Sequence, residues 1–289
     1  MTVSLELVLA KLSGLPTLPG VADKVGLLVN DPDSTSREIA QVVKRDQSLT
    51  ARLLALVNSA YFGVPGGVSS VERAISYLGY NTVYQLVLTV SVFDVLPSVD
   101  GTAFSVKDLW KHSLGCAIAS ETLARHLRHS APEELFTAGL LHDIGKVVLA
   151  SFFASKLEEI VQHAARDGTT FSEKERDLGF PAHDYIGRCL ADKWSLPAVL
   201  RAGIGYHHVL DIEARVGLPR HLCSVADIVA LGDVLCRRCR IGNSGDEVTP
   251  EPDAMLMDRL NLTDLALSKL QDEVPRVVER SKPFLDLLE

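Results

Sequence analysis

Residues 132–146 read Pro-Glu-Glu-Leu-Phe-Thr-Ala-Gly-Leu-Leu-His-Asp-Ile-Gly-Lys. Proline suits the first turn of a helix, where its missing N–H would have no intrahelical partner anyway. Leu135, Ala138 and Leu141 then recur at the spacing of one helical face. An apolar helix therefore runs up to an adjacent His142–Asp143 pair. The same periodicity is present at Leu5, Val8, Leu9 and Leu12, and at Leu49, Leu53, Leu56, Val57 and Ala60. Start signals of capping-box spacing recur at Thr35/Glu38, Ser69/Glu72, Ser105/Asp108 and Ser172/Glu175. Gly79 after Leu78 is a stop signal. Alternating apolar runs bounded by turns are scarce, so the expected fold is all-α.

The chain has 289 residues, 29 Lys+Arg against 37 Asp+Glu, and a formal charge of −8. That length buries a sizeable core. The acidic balance and the lack of a basic stripe argue against a nucleic-acid binder. The longest apolar-rich stretch is read as Val83–Leu96, interrupted by Gln85 and Asp94, so no membrane span is expected. The N-terminus carries Glu6 and Lys11 and does not read as a signal peptide. Five cysteines at 116, 189, 223, 236 and 239 suggest no disulfide framework and a reducing cytoplasm. Cys236 and Cys239 form a lone CxxC, read as two ordinary thiols near a helix end.

Three segments are expected. Residues 1–97 form a helical lobe almost without histidine, closed by a polar break at Pro97–Gly101. Residues 98–240 form a lobe that holds all nine histidines. Residues 241–289 start with a Gly-, Pro- and acid-rich linker or loop at 241–253, continue through an amphipathic stretch at Leu256–Leu270, and are then broken up by Pro275 and Pro283.

His142–Asp143 supplies an imidazole nitrogen and a carboxylate, a donor mix that suits Fe, Mn, Zn or Ni. Lys146, three residues on, shares the side of Asp143. His112 lies on an earlier helix, His183 on a later one, His207–His208 is a tandem pair, and Asp227 sits on a further apolar helix with Cys223, Val225, Ala226, Ile228 and Val229. Several of these polar groups are set among core residues. Unpaired burial would cost about 1–3 kcal/mol each, and a shared metal would satisfy them together. His126, His129, His163 and His221 fit no such set and are read as surface.

The order H…HD…H…HH…D resembles the HD superfamily of metal-dependent phosphohydrolases. By that resemblance His112, His142, Asp143 and Asp227 would hold a first ion. His183, His207 and His208 would hold a second, with Asp143 bridging. Lys146 matches the lysine of the HDxGK form and would act with Asp143 in catalysis. Asp108, four residues before His112, matches a carboxylate used where a third metal is present, but is better read as a cap or a solvated acid. One or two divalent ions are implied, Mg included.

A closer resemblance is to HDOD domains, an HD-related helical fold with an additional helical N-terminal lobe. It rests on Leu15-Pro16-Thr17-Leu18-Pro19, on Asp46 with Leu49, on Asn58-Ser59-Ala60-Tyr61-Phe62-Gly63, and on Ala74-Ile75 with Leu78-Gly79. It continues through Trp110-Lys111-His112-Ser113, Glu175 eight residues before His183, Gly187, Trp194, Pro197 and His207-His208. The resemblance implies an output or regulatory module of bacterial signalling that acts on signalling proteins in trans or senses a ligand such as a nucleotide or other phosphoester. The alternative is an active metal-dependent phosphohydrolase, in which Arg188, Lys193 and Arg201 would be the cations nearest a substrate phosphate. A cyclic-di-GMP phosphodiesterase of the HD-GYP kind is the weaker version, because no Gly-Tyr-Pro follows His207-His208.

Overall fold

In the computed structural model residues 4–96 and 104–286 are described; they form helices and turns, with no strand. Two compact units emerge, residues 1–15 with 97–276, and residues 16–96 with 277–289. Along the chain, α1 (Leu5–Ser13) belongs to the first unit. The second unit is built from α2 (Gly20–Val29), α3 (Ser36–Val43), α4 (Gln47–Val57), α5 (Val71–Leu78) and α6 (Tyr80–Val95). The capping box expected at Thr35/Glu38 is present, and Gly79 ends α5 with φ of 85°. At the start of α5 the cap is Ser70 rather than Ser69. Helix α6 is buried on most sides between Val83 and Val92, which suits its largely apolar composition, and it takes Gln85, Thr89 and Ser91 into the interior as well. Asn58 spans the loop after α4 with both ends of its amide, donating to Val68 O and accepting from Val68 N. This is a turn-forming role for one of the landmark residues.

The first unit continues with α7 (Val106–His126), α8 (Pro132–Leu141), α9 (Ile144–Phe152), α10 (Ala154–Asp167), α11 (Phe171–Asp177), α12 (His183–Lys193), α13 (Ala198–Tyr206), a 3-10 turn at Arg220–Leu222, α14 (Cys223–Arg238) and α15 (Ala254–Arg259). Helices α7, α8, α13 and α14 pack together, and α9 packs on α12. Pro132 occupies the first turn of α8, as expected. The cap of α11 is the pair Thr170/Glu173, two residues before the expected Ser172/Glu175. That shift frees Glu175 for the site described below. Among the described residues Pro132–Phe152 is the one stretch long and apolar enough to cross a membrane, and 89% of its 18-residue apolar window is buried inside the protein.

Two expectations are corrected here, and one alternative is decided. The first unit takes in α1, because Lys193 at the end of α12 donates to the carbonyls of Leu12, Ser13 and Leu15 and so satisfies the C-terminal end of α1. Of the two readings of residues 241–253, the loop holds and the linker does not. Gly242, at φ of 63°, lies so close to α7 that any side chain would overlap the backbone of His112 and Asp108. Asn243 N donates to Asp108 O, and Ser244 is buried. This segment is a strap laid on α7. Finally, α16 (Asp264–Asp286) runs without interruption past Pro275 and Pro283. Leu267, Leu270, Val274, Val278 and Phe284 form one buried stripe along it, and that packing outweighs the local cost of the prolines. The expected break at Pro97–Gly101 lies outside the described residues.

Candidate metal centre

Helix α8 ends at Leu141, and the chain turns through His142 and Asp143 into α9. A buried helix end is where a His–Asp pair can point both side chains inward, since neighbours within a helix diverge by about 100°. Gly145 makes the next contact possible. Any side chain there would overlap the carbonyl of His183, so a glycine lets the start of α12 seat directly against the start of α9. His183 Nε2 thereby comes to 3.1 Å from Asp143 Oδ1. His207, just past α13, places its Nε2 3.8 Å from the same oxygen. The other oxygen, Oδ2, has His142 Nε2 at 3.4 Å and His112 Nε2 at 4.0 Å. Each face of one carboxylate is thus turned to a different histidine pair.

The imidazoles are held by their far nitrogens. His142 Nδ1 lies 2.7 Å from Gly139 O, and His207 Nδ1 lies 2.9 Å from Ile204 O. Carbonyl oxygens only accept, so Nδ1 carries the proton and Nε2 presents a lone pair inward. His183 Nδ1 lies 2.7 Å from Glu175 Oε2, and Glu175 also accepts from the His183 backbone N–H. Such carbonyl and carboxylate contacts are the usual outer partners of metal-bound histidines.

The buried Nε2 atoms of His142 and His207 have no hydrogen-bond partner, and those of His183 and His112 face only the carboxylates of Asp143 and Asp233, each at 3.1 Å. Two groups have ligand atoms within 4.8 Å of one another: His112, His142 and Asp143, and Asp143, His183, His207 and His208. Donors around an ion at about 2.1 Å sit roughly 3.0–3.4 Å apart, close to the separations seen here. The residues therefore fit a divalent cation, and the unpartnered nitrogens are the observation that shows it.

Charge is arranged accordingly. Burial drives the His142 imidazole down to about 4, against the pull of Asp143. Burial together with the neighbouring His142 and His183 takes His207 to about 3. Both are neutral at pH 7, as a ligand must be. Burial also opposes the charge on Asp143, but His142, Lys146 and His183 outweigh it and hold the carboxyl well below its usual range. Burial lowers His183 as well, yet Glu175 reverses this and raises it to about 10. Lys146 Nζ lies 2.9 Å from Asp143 Oδ2 and 4.7 Å from the centre of the Phe171 ring. It is fully enclosed, so its charge is spent on Asp143.

Asp227 is not with the others. Its carboxylate receives Arg215 NH2 at 2.5 Å and both Nε and NH2 of Arg259 at 2.9 and 2.8 Å. The expectation that Asp227 completes the first ion site is corrected, because its helix turns it to the arginines. The acid of α14 at the site is Asp233, whose Oδ1 lies 3.1 Å from His112 Nε2. Six residues apart on a helix is about 240° of rotation, so only one of the two can face α7. Arg237, one turn on, pairs with Asp233 and, at 3.3 Å, with Asp246 of the strap; Asp246 also accepts from Phe171 N. Asp233, Arg237 and Asp246 were missed by sequence reasoning. The i,i+4 spacing of Asp233 and Arg237 was the one local signal for them. Asp108 points outward and pairs with Lys111 at 2.8 Å. His126 and His221 are exposed, and His129 and His163 are half-buried away from the cluster.

The HDOD family model matches residues 15–210, which is most of the chain and includes every histidine of the cluster. The chain belongs to the HDOD family. A solved HDOD domain protein of unknown function from Geobacter sulfurreducens has a TM-score of 0.77 at 27% identity, covering 98% of this chain and all of that one. A structure from Shewanella amazonensis SB2B, provisionally named a phosphohydrolase, has a TM-score of 0.72 at 25% identity over 98% of each chain. An uncharacterized protein of Treponema pallidum (strain Nichols) is 26% identical over 201 residues, 69% of this chain. The chain spans about 39% of the length of that curated relative. The HDOD cluster here thus combines a full imidazole set with an acid of α14 other than the one its order suggested.

Proposed function

We propose that this HDOD protein is a metal-binding regulatory module of signal transduction, acting through a ligand or through signalling proteins in trans, and not a general phosphoester hydrolase. His112, His142, Asp143 and Asp233 would hold one divalent ion, and His183, His207 and His208 a second, with Asp143 shared. Bound ions of this kind supply Lewis acidity and a water of lowered pKa. The chain's own groups do the positioning. Glu175 and the carbonyls of Gly139 and Ile204 aim the imidazoles, and Lys146 offsets the charge of Asp143.

The observation that carries the regulatory reading is the entrance. The cavity reaching His207 and His208 measures about 170 Å³, and Glu173, Asp233, Glu251 and Asp253 line it with only Arg176 and Arg237 as cations. Sites for drug-sized ligands span about 300–1,000 Å³. A vestibule of that size is too narrow for a drug-sized substrate, and its acids favour entry of a cation. Lys146, the group that would stabilise charge on a substrate, is enclosed and already paired.

The test has two arms. Elemental analysis of protein purified without chelator is expected to find stoichiometric metal that is lost in His142→Ala and Asp143→Ala. The protein loaded with Mn or Fe is expected to show no turnover of nucleotides, cyclic dinucleotides or simple phosphodiesters. Turnover that disappears with His142→Ala would replace this reading with the phosphohydrolase alternative, which the intact histidine set favours. A crosslinking survey that captures no specific protein, together with a wild-type phenotype of the deletion strain, would remove the in-trans reading.

A further inference from the structure

Helix α12 presents a second polar side chain on a different face from His183. Arg188 follows it by five residues, about 140° around the helix. Its stem crosses α13 at Gly205, where even a methyl group would come within 2.8 Å of Arg188 Cδ. Its guanidinium lies 4.9 Å from the Tyr185 ring centre and 5.1 Å from that of Tyr206. NH1 donates to Tyr206 Oη at 2.6 Å, and Tyr206 Oη in turn donates to Val216 O at 2.8 Å. The head group is therefore fixed in place by a glycine, two aromatic rings and a hydroxyl anchored to backbone.

What Arg188 lacks is an acid. Among the described residues no carboxylate pairs with it. Its neighbour in the same hollow, Arg201, is matched by Asp192 at 3.1 Å. The hollow measures about 430 Å³, within the range of small-molecule sites, and is walled by Ala198, Ala202, Val216, Leu218, Pro219 and Leu222. In a chain of net charge −8 it holds two guanidiniums and one carboxylate. A rigid planar guanidinium without an acid, set at the edge of an apolar cavity, matches a ligand with an anionic head and an apolar body.

We propose that this hollow binds a small organic anion, whose phosphate or carboxylate head pairs with Arg188 and whose apolar body lies against Val216, Leu218 and Leu222. The site is distinct from the metal cluster and does not depend on the function proposed above. The binding cost is low because the recognising group is already ordered.

The test is an NMR titration of the full chain in chelator, so that no metal-bound anion contributes. The probes are phenylphosphonate, phenylacetate and the neutral phenylacetamide. Saturable binding of at least one anion, about tenfold or more tighter than the amide, is expected. Phosphonate alone would mark a phosphoester ligand, and phenylacetate alone a carboxylate. Arg188→Gln should weaken anion binding about tenfold or more. Ala198→Trp fills the mouth from an exposed position and should abolish binding even if Arg188→Gln fails to fold. Asp108→Ala, a solvated acid outside the hollow, should leave binding unchanged. The proposal is overturned if the amide binds as well as the anions, if the folded Arg188→Gln or Ala198→Trp protein binds like wild type, or if neither anion saturates.

Discussion

Asp143 and Asp227 are both buried aspartates of the same unit, and their charges are compensated by opposite means. Asp227 is enclosed by two guanidiniums that the fold itself supplies. Those arginines also hold the carbonyls of Val209, Leu210 and Cys223, so the ion cluster clamps the loop that follows His207-His208. Asp143 has one lysine partner, Lys146, and turns the rest of its surface to imidazoles, of which His142 and His207 present lone pairs and His183 a proton that a metal would displace. The first arrangement is closed and structural. The second gathers nitrogens that a divalent cation can take once His183 gives up its Nε2 proton.

The largest expected effect tests the open half of that contrast. Asp143→Ala should take metal from stoichiometric to background by elemental analysis, whereas Asp227→Ala should retain metal in whatever fraction folds. Next comes the closed half. Asp227→Ala leaves Arg215, 3% exposed, without its acid, and should cost about 3–5 kcal/mol in denaturant unfolding. Unchanged stability would mean that the clamp carries no weight.

The third prediction separates the two acids of α14. Asp233→Asn should weaken metal binding about 10–100-fold in competition with a chromophoric chelator, and Glu175→Gln should do the same by loosening His183. Asp227→Asn should leave the metal affinity where it was; the reverse result would return Asp227 to the site. Fourth, free metal at 100 times its dissociation constant should stabilise the wild type by about 2.7 kcal/mol over the chelated protein. That increment should vanish in His142→Ala and persist in Asp227→Asn. The smallest effect belongs to Asp108→Ala, which should change stability by about 0.5 kcal/mol or less and leave metal content intact, because its carboxylate is solvated beside Lys111.

The helices were legible because their apolar periodicity is local. Pro132, Thr35/Glu38 and Gly79 act within a few residues of themselves, so their readings needed no partner. The histidines were legible for a different reason. Five of them stand in a recognisable order, and the structure gathers them round Asp143. Features that depend on distant partners were not legible. The strap at 241–253 looks like a linker until Gly242 is seen against α7 and Asp246 against Arg237. Pro275 looks like a stop until the buried stripe on both sides of it is seen.

By itself, the sequence determined that the protein is helical, that His142–Asp143 ends a buried helix, and that four further histidines have the order of a metal-binding family. It did so because helix periodicity, caps and motif order are properties of neighbouring residues. Only the tertiary structure decided which acid of α14 faces His112, that Lys146 is enclosed rather than offered to a substrate, and that Arg188 stands beside a hollow without an acid. Those outcomes depend on the rotation of one helix against another, and a turn of about 240° between Asp227 and Asp233 is invisible until the helix that receives it is in place.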